Sequence, residues 1–127
     1  MATRRKPVRT TAQVKRVYEA PADSDGWRVL VDRLWPRGIS KDAARIDLWL
    51  KDVSPSDALR RRVHADPSTW DSFVTDYAGE LTRPPADAAV ATLRAHIAQG
   101  PVTLLYAARD TARNNATALR TWLEKNP

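Results

Sequence analysis

Two short apolar runs, Arg28–Leu34 and Pro101–Ala107, lie on either side of a long stretch with helical periodicity, and this arrangement limits the fold more than any other feature. PVTLLYA carries no charge over seven residues and reads as a strand buried on both faces. RVLVDRL starts the same way and then turns polar at Asp32 and Arg33. Strands joined through helices pair in parallel, so these two are expected to be parallel neighbours. The fold class that follows is α/β: a small single-domain sandwich whose central, at least partly parallel sheet is flanked by helices.

The remaining elements fall around that pair. Val14–Tyr18 has the β-branched and aromatic character of a first strand, and residues 19–26 form a loop. Trp35-Pro36-Arg37-Gly38 must be a tight, non-helical connection, with Gly38 permitting positive φ; an X-Pro bond here is a candidate for cis geometry. Lys41–Arg45 suits a helical turn, and the alternation of Ile46, Leu48 and Leu50 a short edge strand. Ser54-Pro55 predicts a helix start, with serine as N-cap and proline at the first helical position. That helix carries Ala58, Leu59 and Val63 and ends near His64, before Asp66-Pro67. Trp70, Phe73, Val74, Tyr77 and Leu81 then fall on one helical face. After Pro84-Pro85, Ala88, Leu93 and Ile97 mark a third helix closed by Gly100 in the C′ role. Asp110 or Thr111 is expected to cap a last helix through Lys125.

Charge bears on partners. The chain of 127 residues has a net charge of +6, and all of it traces to Arg4, Arg5, Lys6, Arg9, Lys15 and Arg16, since the rest is balanced. Residues 1–11 therefore read as a flexible basic arm and residues 12–127 as one α/β domain. The arm offers an alternative function, a non-enzymatic nucleic-acid-binding or regulatory module in which residues 1–16 meet the phosphate backbone. There is no cysteine, which excludes disulfides and thiol catalysis and fits a reducing, cytoplasmic setting. No apolar stretch approaches the length of a membrane span, so no membrane partner is expected. His64 and His96 show no metal-ligand spacing, no glycine-rich phosphate loop is present, and neither metal nor cofactor is expected.

Ligands of open α/β sheets bind outside the carboxyl ends of the strands. Both principal strands are loaded there. Asp32, Arg33, Arg37 and Lys41 follow the first; Arg109, Asp110, Asn114 and Asn115 follow the second. Arginine gives two-point recognition of phosphate or carboxylate. The residues thus suggest a cationic cleft for a small anionic ligand, phosphorylated or nucleotide-like, with Asp32 as candidate acid/base and His64 a weaker one. Each has a structural alternative: Asp32 bracing the turn, Asn115 holding the WPRG backbone, His64 capping its helix, Arg60-Arg61-Arg62 forming a solvated face. Most tryptophans sit at core-facing positions, which leaves Trp27 and Trp35 for any stacking role.

The blocks VDRLWPRGISK (31–41), WLKDVSPSDALR (49–60), the Trp70/Phe73/Tyr77/Glu80-Leu81 helix and LLYAARDTARNNA (104–116) together resemble the domain-of-unknown-function family 488, in its short YeaO-like subgroup. The resemblance implies a compact α/β domain and no known activity. Asp32, Arg33, Trp35, Pro36, Arg37, Gly38, Lys41 and Asn115 match the subgroup's pattern. Longer relatives carry a Cys-His-Arg-like segment near Arg113-Asn114-Asn115, and with no cysteine here no thiol chemistry carries over.

Overall fold

The computed structural model describes residues 11–127, so the basic arm expected over residues 1–11 lies, but for Thr11, outside the described residues. Four strands, β1 (Gln13–Arg16), β2 (Trp27–Leu30), β3 (Leu48–Trp49) and β4 (Val102–Tyr106), form one sheet in the order β1-β4-β2-β3. Every pairing is parallel, and β2 and β4 are neighbours with Val29 opposite Leu104. The charge-free run makes the central strand: all five residues of β4 are buried. β3 is the short edge strand.

Among the described residues five α-helices pack with the sheet: α1 (Lys41–Ala44), α2 (Asp57–Ala65), α3 (Trp70–Leu81), α4 (Ala86–Gln99) and α5 (Asn115–Lys125). The two sheet faces are covered unequally. Val29, Val31, Val102, Leu104 and Tyr106 join the main core with residues of α2 to α5. On the other face Val17, Leu30 and Leu105 meet Ala44 and Ile46, with Trp35, Ile39 and Trp49 packed around them. One face is thus sealed by long amphipathic helices and the other by α1 and the loops after β2. Ile46 packs on the face opposite to Leu48 and Leu50, so the expected alternation holds only from Leu48 onward.

Several local expectations are corrected. Ser56, not Ser54, caps α2: its Oγ accepts the Leu59 N–H at 3.3 Å, while the Ser54 hydroxyl donates to Lys51 O across a preceding 3-10 turn. Two serines flank Pro55, and that turn consumes the first. The α5 cap is Asn114, whose Oδ1 accepts the Thr117 N–H at 2.9 Å. Asp110 instead receives the Ala112 and Arg113 N–H groups, both at 2.9 Å, and shapes the loop upstream. Gly100 closes α4 with φ 173°, extended backbone rather than a left-handed cap. Ala58 and Ala88 are exposed; α4 buries Ala86, Ala89, Val90, Leu93 and Ile97. The cis peptide joins Pro84 to Pro85, not Trp35 to Pro36.

Gly26 and Gly38 are the glycines the backbone requires. Gly38, at φ 76°, completes a turn closed by the Ile39 N–H on Pro36 O. Gly26, at φ 64°, lies so close to the start of β4 that a Cβ would stand 2.2 Å from Pro101 O. That contact lets Trp27 N–H reach Pro101 O at 2.9 Å and begin the β2–β4 ladder.

Candidate functional site

Beyond Leu30 the β2–β4 ladder is completed partly by a side chain. Val31 N–H still donates to Leu105 O, but the next amide of β4's extension, Ala107 N–H, donates to Asp32 Oδ2 at 2.9 Å. Asn115, at the first position of α5, donates its Nδ2 to Val31 O at 3.0 Å and to Asp32 Oδ1 at 3.1 Å. The Trp49 indole N–H holds Asp32 O at 2.7 Å. Asp32 therefore ties β2, the end of β4 and the start of α5 together. Burial pushes its carboxyl above the usual carboxylate range, against the opposing pull of Ala107, Asn115 and Arg60.

Above this clamp lies a cleft of about 710 Å³ at the carboxyl ends of β1, β4 and β2. Its lining includes Asp32, Arg33, Arg37, His64, Arg109, Asp110, Asn114 and Asn115, eight of the nine residues singled out from sequence. Lys41 is the exception; it is exposed at the start of α1 and does not line the cleft.

These residues are committed to different degrees. Asp110 and Asn114 hold the backbone, since Asn114 Nδ2 also donates to Asp110 O at 3.0 Å. The two amide donors hold the exposed Asp110 carboxyl below its usual range. Arg33 leans on the start of α2, with Nη2 3.4 Å from Pro55 O and Nε 3.9 Å from Asp57. Arg37 and Arg109 have no carboxylate within 4.0 Å among the described residues, and Arg37 contributes only its carbonyl, which accepts the Tyr18 hydroxyl at 3.0 Å. His64 is exposed in the last turn of α2. Asn115 Oδ1 accepts no hydrogen bond from any described residue, so the amide brings an open acceptor to the site.

Sequence reasoning missed a third wall. Beside the WPRG segment and the 107–115 loop, α2 and α3 bring Arg60, Val63, Trp70 and Phe73 to the cleft, with Pro67 between the helices. The signal was there: Arg60, Val63 and His64 share one helical face, so the arginine run divides by position. Arg60 turns to the cleft while Arg62 pairs with Asp76 at 2.6 Å on the surface. Arg113, another cation without a carboxylate partner among the described residues, also lines it. Of the two tryptophans left for stacking, Trp27 already stacks on His96, with centroids 5.4 Å apart, far from the cleft lining. Trp35 is held edge-on against Trp49, its indole N–H on Ile39 O.

Among the described residues no group of three or more His, Cys, Asp or Glu side chains is placed to hold a metal. No helix among the described residues is long and apolar enough to cross a membrane.

A family model described as the inactive DUF488-N3 subclade matches residues 11–126, nearly the whole chain. The chain belongs to this family. It is 42% identical over 112 residues to the uncharacterized protein YeaO of Escherichia coli, covering 87% of this chain and 95% of the relative. It is also 44% identical over 110 residues to an uncharacterized protein of Mycobacterium tuberculosis, covering 87% and 91%. The match to YeaO agrees with the resemblance carried by VDRLWPRGISK and LLYAARDTARNNA. No solved structure matches the chain.

Proposed function

We propose that the cleft binds a small anionic ligand of the phosphorylated or nucleotide-like kind, and that it binds without turnover. The observation that carries this reading is the set of arginines, Arg37, Arg109 and Arg113, gathered around one cleft with no carboxylate within 4.0 Å among the described residues. Unpaired guanidinium groups beside low-dielectric walls favour an incoming anion. Arg60 also lines the cleft but is paired with Asp57 at 3.3 Å, and Asn115 orients the ligand through its open amide oxygen. Asp32 serves as the brace on which the cleft is built, in place of the acid/base role. Both of its oxygens are engaged by protein donors. The family description, an inactive subclade, supports binding without catalysis.

Two of the six cations of residues 1–16 favour the cleft over the nucleic-acid reading. Lys15 is spent on Asp25 at 3.2 Å, and Arg16 donates to Ala108 O and Ala107 O at 2.9 and 3.1 Å. The test is a thermal-shift titration of the full chain with phosphate, sulfate and mononucleotides at low salt. A rise in melting temperature that Arg37→Ala and Arg109→Ala abolish is the expected result. No shift with any anion, or a shift the two variants leave intact, would overturn the reading.

A further inference from the structure

The cleft has more apolar wall than a simple anion requires. Val63, Pro67, Trp70 and Phe73 come from α2, α3 and the turn between them, and Leu34 and Pro36 from the loop after β2. Leu34 is 68% exposed, the most exposed of the large hydrophobic side chains among the described residues. Trp70 lies on Phe73, ring centroids 5.1 Å apart and planes 24° from parallel; Phe73 is buried and Trp70 only partly so. Inorganic phosphate would meet the arginines and leave this wall in water. A volume of about 710 Å³ also exceeds what a bare anion fills and lies in the range of small-molecule sites.

Building on the anion-binding reading, we infer that the ligand joins a planar ring to its anionic group. The ring lies against the wall made by Trp70 and Val63, and the anionic group is held by Arg37, Arg109 and Arg113. Asn115 Oδ1 accepts a bond from an N–H or hydroxyl on the ring or its linker. Stacking on a partly buried indole and ion pairing with the arginines then act on one molecule, which neither wall achieves alone. A mononucleotide and an aromatic carboxylate share this chemistry.

Calorimetric titration of the full chain with two matched pairs distinguishes them: uridine 5′-monophosphate against ribose 5-phosphate, and benzoate against acetate. The ring-bearing member of the favoured pair should bind about tenfold more tightly than its ringless counterpart. Trp70→Leu should erase that ratio, whereas Arg109→Ala should weaken both members. The wild-type ratio needs no variant and decides the matter if Trp70→Leu fails to fold. Equal affinities within both pairs would overturn the inference and leave the anion-binding reading standing. So would a ratio that survives in a folded Trp70→Leu protein. Failure of every anion to bind would remove both.

Discussion

Asp25 and Asp32 stand just before and just after β2, and the chain treats them in opposite ways. Asp25 is 3% exposed and lies between Arg28, itself 2% exposed, and Lys15. It also accepts the Ala22 N–H at 3.0 Å, and Thr103 Oγ1 donates to Asp25 O at 2.7 Å. Arg28 spends its Nε on Ala44 O at 2.9 Å. Burial pushes the Asp25 carboxyl up, but the bonds from Ala22, Lys15 and Arg28 outweigh it and hold the group below its usual range. Asp32 has only amide donors at contact distance, and its pKa moves up. At one end of the sheet, the buried carboxylate is paired within the protein, with only Arg28 Nη2 of this group left without a hydrogen bond among the described residues. At the other, Arg33 and Arg60 share Asp57, while Arg37, Arg109 and Arg113 gather around a cleft with no carboxylate within 4.0 Å among the described residues. Matched charge holds the fold, and unmatched charge is what the proposed ligand would recognise.

The largest effect should come from breaking the matched end. Asp25→Ala leaves Arg28 as an unpaired buried cation, at a cost of about 3–5 kcal/mol in a urea unfolding measurement. A small loss would mean that water reaches Arg28 and that the two ends differ less than described. Asp32→Ala should cost less, about 1–3 kcal/mol, because it strands the Ala107 N–H and the Asn115 amide but no opposite charge.

Much of this was legible in the sequence. The charge-free run of β4 and the capped helices named the α/β layers, and charges after two apolar runs located the cleft. What could not be read was which charges were already spent. Asp110 and Asn114 have the composition of ligand groups, yet they close a turn and a helix start. Lys41 shares a short polar stretch with Arg37, yet the turn at Gly38 and the start of α1 carry it away. Trp70 has core periodicity, and its half-buried ring on the cleft side depends on how α2 and α3 pack. The Trp70 placement depends on packing between helices, which spacing does not encode, whereas the Asp110 and Asn114 bonds close locally, on residues within four positions.

The two carboxylates should also separate by pH. A carboxylate whose pKa falls on folding, such as Asp25, stabilises the folded chain above its ordinary value of 3.8. It loses that contribution as pH falls through the lowered value. For Asp32 the sign reverses: its contribution is complete below 3.8 and is lost as pH rises through the raised value. Unfolding midpoints taken from strongly acid to neutral pH should therefore show the wild-type advantage over Asp25→Asn shrinking on acidification. The balance between wild type and Asp32→Asn should move toward the variant as pH rises. Parallel curves for the two variants would erase the contrast.

The smallest effect on stability belongs to the unmatched end. Arg37→Ala and Arg109→Ala remove exposed cations that support no ion pair among the described residues, and should change unfolding by no more than about 0.5 kcal/mol. The same variants should bind anions more weakly, so stability and binding part company at these positions.

The most direct measurement is an amide and arginine side-chain NMR titration of the full chain with uridine 5′-monophosphate. The account predicts saturable shifts at Ala107, Arg109, Arg113 and Asn115 and at the Arg37 guanidinium, with Asp25, Trp27 and Arg28 unmoved. Shifts confined to residues 1–10, or shifts at the Asp25–Arg28 end with none at the cleft, would contradict it.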